Sequence, residues 1–122
     1  MDTGKNLSFP LGIDLVELKK AKSFYNTHKH RLNSFFSSKE ISYIQKALWP
    51  HEALGILLAA KEAVFKALPR TGAGIAAFRN IEIQPERGGR FSFCSVKTGK
   101  RSKLEFTVLK NKRYVIVQCA GI

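Results

Sequence analysis

Hydrophobic and polar positions along this chain follow two different periods. In FPLGIDLVEL, residues 9–18, Leu11, Ile13 and Leu15 alternate with Gly12, Asp14 and Val16. A period of two predicts a strand, and Asp14 is its polar interruption, set between Ile13 and Leu15. Residues 18–29 then read as helical and basic. Ser37, followed three residues later by Glu40, matches a capping box, in which each side chain satisfies an orphan amide of a first helical turn. Ile41, Ile44, Ala47 and Leu48 continue at helical spacing, and Pro50 is expected to end that helix.

The strongest helical segment is HEALGILLAAKEAVFKAL, residues 51–68, rich in Ala, Leu, Glu and Lys. Leu57, Leu58, Ala60, Val64, Phe65 and Leu68 supply its apolar face. A glycine-bearing loop over residues 69–74 breaks it. Four strands are expected beyond, over residues 80–84, 90–96, 104–109 and 114–119. The last two lie close enough for a hairpin. A strand, then helices, then a run of antiparallel strands predicts an α+β fold with helices packed on an antiparallel sheet, in one domain over residues 1–122.

Composition narrows the function without choosing it. Apolar residues make up 44% and charged ones 25%, which excludes long disorder and low-complexity architecture. No run of about 18 apolar residues could form a membrane-spanning helix. Residues 1–10 lack a charged head followed by a long apolar stretch, so the cytoplasm is the expected compartment. Cys94 and Cys119 are expected as reduced thiols inside strands, and no CxxC pair suggests zinc. Lys and Arg number 21 against 9 Asp and Glu, a net charge of +12, so anionic partners are favoured. Specific nucleic-acid binding is not expected, because no helix-turn-helix, zinc-finger or aromatic-and-basic signature accompanies the charge.

Two carboxylates could carry chemistry: Asp14 on the first strand and Glu62 in the middle of the long helix. Lys66 stands four residues after Glu62, on the same helical face. By spacing alone Glu62 and Lys66 read as a plain surface ion pair. A strand carboxylate and a helix carboxylate that converge, however, suit a hard cation. Mg²⁺ is commonly held by one or two carboxylates together with substrate phosphates. A nearby lysine then suits a pyrophosphate or its leaving group.

GIDLVELKK (residues 12–20) and LAAKEAVFKAL (residues 58–68) resemble the two signature motifs of the holo-acyl-carrier-protein synthases, the small type of 4′-phosphopantetheinyl transferase. FFSSKEISY (residues 35–43), and Thr71-Gly72 followed by NIEI (residues 80–83), are similar to the family's intervening segments. The resemblance implies a 4′-phosphopantetheinyl transferase-like fold and a homotrimer with active sites at subunit interfaces. It implies Mg²⁺-dependent transfer of 4′-phosphopantetheine from coenzyme A to a serine of an acyl carrier protein, as in fatty acid biosynthesis. Asp14 and Glu62 would hold the metal and Lys66 the phosphate, the three forming the catalytic set. Thr71, Gly72 and Lys110 would help bind coenzyme A. Lys19, Lys20, Lys29, His30 and Arg31 would meet the acidic carrier protein. Leu57-Leu58 stand where the family has Arg-Phe, and Lys110 stands near the place of a family histidine. Those departures leave a second expectation, a relative that binds carrier protein or coenzyme A without turnover.

Overall fold

The first strand passes into the first helix with no loop between them. In the computed structural model, which describes residues 11–67, 81–86, 90–95, 101–102 and 104–121, β1 (Leu11–Glu17) is followed directly by α1 (Leu18–His28). Glu17 provides no side-chain cap to α1; the Leu18 amide donates to the Arg113 carbonyl at 2.7 Å. A 3₁₀ turn at Leu32–Ser34 leads to α2 (Ser38–Lys46). Its capping box forms as the sequence predicts: Ser37 Oγ accepts from the Glu40 amide, and the Glu40 carboxylate accepts from the Ser37 amide.

Pro50 departs from its expected role. Helix α2 ends at Lys46, and Ala47 is extended. Pro50 instead opens α3 (Pro50–Ala67). A proline is suited to a first helical position, because its missing N–H would be unsatisfied there anyway and its φ is already helical.

The remaining strands are β2 (Ile81–Pro85), β3 (Phe91–Ser95), β4 (Arg101–Ser102), β5 (Leu104–Lys110) and β6 (Tyr114–Gly121). Among the described residues they form, with β1, two three-stranded antiparallel sheets, ordered β1-β6-β5 and β2-β3-β4. The predicted β5–β6 hairpin is present. Asn111 shapes its turn by accepting from the Arg113 and Tyr114 amides at 2.7 and 2.8 Å.

Helix α3 packs across β1 and β6. The core joins Leu54, Leu57 and Val64 of α3 with Ile44 of α2, Ile83 of β2, and Val115, Val117 and Cys119 of β6. Cys119 is a free, buried thiol, as expected, and burial pushes its pKa up, so it stays protonated. Cys94 lies in β3, also as expected.

The two faces of β1 reverse the usual assignment. Its large side chains, Leu11, Ile13 and Leu15, are about half exposed, at 55, 50 and 51%. Gly12, Asp14 and Val16 lie on the inward side. Gly12 explains the reversal: a Cβ built there would fall 1.7 Å from the Ala63 carbonyl oxygen of α3. Only a residue without a side chain lets strand and helix backbones approach so closely.

Candidate active site

That close approach brings β1 and the C-terminal half of α3 together. Lys66 Nζ donates to Asp14 Oδ1 at 2.8 Å and to the Ile13 carbonyl at 3.3 Å. The strand aspartate and the helix lysine, 52 residues apart, therefore meet. The Asp14 side chain is 17% exposed and that of Lys66 48%, so the pair opens to water on the lysine side. The hydrogen bond to Asp14 holds the Lys66 ammonium above the ordinary lysine range. Slight burial opposes this, and the charges of Asp14 and Glu62 reinforce it. Glu62, half-buried one turn earlier, thus shares the field of the same cation.

Asp14 touches Lys66, and Glu62 stands one turn earlier on the same helix, so carboxylate oxygens that would suit a hard cation lie near this point. Among the described residues no group of three or more His, Cys, Asp or Glu side chains could hold a metal alone. A cation there needs further oxygens from substrate or water, as Mg²⁺ commonly takes them.

The other expected site residues lie elsewhere. Lys110 ends β5 and pairs with Glu52 in the first turn of α3. Glu52 and Lys66 are 14 residues apart on one helix, so Lys110 sits about 21 Å from Lys66 along that axis. It borders a cleft of about 450 Å³ lined also by Trp49, His51 and Lys112. Thr71 and Gly72 lie outside the described residues. Lys19, Lys20, Lys29, His30 and Arg31 are all exposed, on α1 and just after it. Lys19 also borders a cleft of about 310 Å³ with Lys112 and Arg113. Leu57, which the resemblance sets against an arginine, is fully buried in the core.

Sequence reasoning missed one pair beside the site. Lys61, the residue before Glu62, is wholly buried and lies 2.8 Å from the equally buried Glu40. A signal existed: Leu54, Leu57, Lys61 and Val64 share one helical face, and all four are sealed.

Comparisons with known proteins came out alike. A family model described as the 4′-phosphopantetheinyl transferase superfamily matches residues 10–119. A holo-[acyl-carrier-protein] synthase of Moorella thermoacetica is 37% identical over 79 residues, which is 65% of this chain and 61% of that protein. The chain thus spans about three fifths of that relative's length. Among solved structures, the holo-[acyl-carrier-protein] synthase of Neisseria meningitidis superposes with a TM-score of 0.74 at 22% identity, over 93% of this chain and 97% of that one. The Bacillus anthracis synthase, crystallised in complex with CoA (3′,5′-ADP), gives 0.72 at 21% identity, over 91% and 93%. Both have this fold.

Proposed function

The chain belongs to the 4′-phosphopantetheinyl transferase superfamily, and from that membership we propose that it transfers 4′-phosphopantetheine from coenzyme A to a serine of an acyl carrier protein. One observation carries the reading: the 2.8 Å contact of Lys66 with Asp14, made beside Glu62. Asp14 and Glu62 would hold Mg²⁺ against the pyrophosphate of coenzyme A, where the ion neutralises developing charge.

The chain's own groups do the rest. Lys66, released from Asp14, moves to the pyrophosphate and stabilises the departing adenosine 3′,5′-bisphosphate. The serine oxygen forms its bond to phosphorus as the bond to that leaving group breaks. The serine proton passes through water to a carboxylate of the Asp14–Glu62 pair. Such chemistry needs positioning and charge neutralisation more than covalent catalysis. Thr71 and Gly72 are assigned to coenzyme A on the resemblance of their loop.

The exposed cations of α1 and its C-terminal turn, Lys19, Lys20, Lys29, His30 and Arg31, suit the acidic carrier protein. The apolar face of Leu11, Ile13 and Leu15, continued by the exposed Leu109, suits burial against further copies of the chain, in a homotrimer. Within such an assembly Lys110 would serve a neighbouring subunit's nucleotide, since it stands far from Lys66 of its own chain. Among the described residues no helix is long and apolar enough to cross a membrane. The free thiol of Cys119 suits a reducing compartment, the cytoplasm, where fatty acid biosynthesis would use the product.

Incubation with coenzyme A, Mg²⁺ and candidate apo carrier proteins tests the proposal. Intact mass should show a gain of about 340 Da, the transferred phosphopantetheine. The core position of Leu57, where the family has an arginine, favours the second reading, binding without turnover. Calorimetric binding of carrier protein or coenzyme A with no mass gain would select it.

A further inference from the structure

The buried pair next to Glu62 joins four parts of the fold. Lys61 Nζ lies 2.8 Å from Glu40 Oε1, donates to the Phe35 carbonyl at 3.0 Å, and stands 5.2 Å from the Phe36 ring centroid. Glu40 Oε1 also accepts from the Ser37 amide at 2.9 Å, and Oε2 accepts from the Ile83 amide at 2.8 Å. Helix α3, the 35–37 segment, the start of α2 and strand β2 thus meet on two side chains that water does not reach.

Net stability does not explain such a pair. Desolvating two charges cancels most of their attraction, and apolar residues of similar volume often serve as well or better. Its directional bonds add to apolar packing a constraint on the rotation of α3 about its own axis. Successive helical residues lie about 100° apart, so the rotation that seats Lys61 against Glu40 also sets the bearing of Glu62. At a side-chain radius of about 5–6 Å, a 20° turn of the helix carries that carboxylate by roughly 2 Å. Functional constellations are held to within about 0.5 Å.

We propose that the Glu40–Lys61 pair is a positioning device that fixes the rotation of α3 and so aims Glu62 at the Asp14–Lys66 cluster. The proposal rests on the transferase reading above only for its consequence; the geometry it asserts is testable without turnover.

The test is the full chain carrying Glu40→Leu with Lys61→Met, which removes both charges and keeps the volume. Thermal unfolding checks the fold. Residual dipolar couplings report the orientation of α3 against the β1-β6-β5 sheet. Mn²⁺ binding is read by electron paramagnetic resonance without substrate. The expected result is a folded variant with a measurably rotated α3 and Mn²⁺ affinity weakened about tenfold, as for lost outer-shell support. Its kcat should fall about 100-fold, with the KM for carrier protein unchanged, because α1 is untouched. A folded variant with α3 unrotated and Mn²⁺ affinity unaltered overturns the proposal. Should the double variant fail to fold, Lys61→Arg decides by the same readings. It keeps the charge but replaces a point ammonium by a planar fork, so a positioning role predicts weaker Mn²⁺ binding and a merely charge-balancing role predicts unaltered binding. Wild-type protein that binds no Mn²⁺ and transfers nothing would sink the transferase reading instead, while the dipolar couplings still decide whether the pair sets the helix.

Discussion

Helix α3 carries two lysines five residues apart, each 2.8 Å from a carboxylate on another element, and solvent makes them opposites. Lys61 and Glu40 are 0% exposed, and their bonds reach β2 and the 35–37 segment. Burial pushes the Glu40 carboxyl above the ordinary range, against the pull of the Lys61 charge and the Ile83 and Ser37 amides. Lys66 and Asp14 meet where water screens them. An exposed pair contributes about 0–1 kcal/mol, so its members can change partners at little cost. A buried pair cannot: losing one member leaves the other charged and dry. The same chemical contact is therefore a fixed strut in one place and an exchangeable counterion in the other, and the proposed reaction needs the second kind.

The sharpest break is Lys61→Met alone. Glu40 would then lie buried without its counter-charge, and stability should fall by about 3–5 kcal/mol. Urea denaturation measures it. The Glu40→Leu, Lys61→Met double variant should recover most of that loss, because no lone charge remains. A single variant as stable as wild type would show that the two pairs do not differ in kind.

Next in size is Glu62→Gln. Its side chain is half-buried and keeps its volume, so the fold should hold. Transfer should drop about 100- to 1,000-fold, the usual cost of removing one group that stabilises developing charge. The rate of mass gain on the carrier protein measures it. A variant that keeps wild-type activity would remove the chemical meaning of the exposed pair.

These contrasts explain what could be read from the chain in advance. The capping box, the long helix, the β5–β6 hairpin and the period of β1 are local, so neighbouring residues specify them. The inward turn of Asp14 is not local. It depends on Gly12 meeting the backbone of Ala63, a contact across 51 positions that no spacing reveals. Pro50 was ambiguous for a related reason, since one proline both follows a helix and opens the next. The arrangement as two sheets depends on strand partners, and the place of Lys110 on the β5–β6 register, which sets it opposite Val115 near the first turn of α3. Two motifs read together set Asp14, Glu62 and Lys66 in one place, but spacing pairs Lys66 with Glu62, and its direct contact with Asp14 is visible only in the fold. The burial of Lys61 was written in the spacing Leu54, Leu57, Lys61, Val64, but a lysine beside a glutamate reads as surface until its helical face is traced.

Lys66→Ala sharpens the comparison on the exposed side. Stability should change by less than about 1 kcal/mol, and any effect should shrink further at high salt, which screens exposed pairs. Transfer should nonetheless fall, because the proposed mechanism sets the ammonium against the leaving group. Paired denaturation curves at low and high salt, set beside the transfer rate, separate the two roles. A large, salt-insensitive loss of stability would place Lys66 in the same class as Lys61.

The smallest effect concerns a carboxylate between these extremes. Glu82 of β2 is half-buried. Burial raises its pKa, but hydrogen bonds from Ser37 and Gln84, with the charges of Lys39 and Lys61, outweigh it and leave the carboxyl below the ordinary range. Between that lowered value and the ordinary one, the unfolded chain binds the proton more readily than the folded one. Stability therefore rises with pH across that window, and the contribution of Glu82 is lost as pH falls through it. Glu40 acts in the opposite sense: its raised pKa makes the folded state the better proton acceptor, so stability falls as pH rises from the ordinary carboxyl value toward the raised one. Glu82→Gln should therefore flatten the acid limb of a melting-temperature profile below the ordinary carboxyl range and leave the profile above it unchanged. If the acid limb of the variant is as steep as that of wild type, hydrogen bonding does not outweigh burial at Glu82, and burial alone orders the carboxylates around α3.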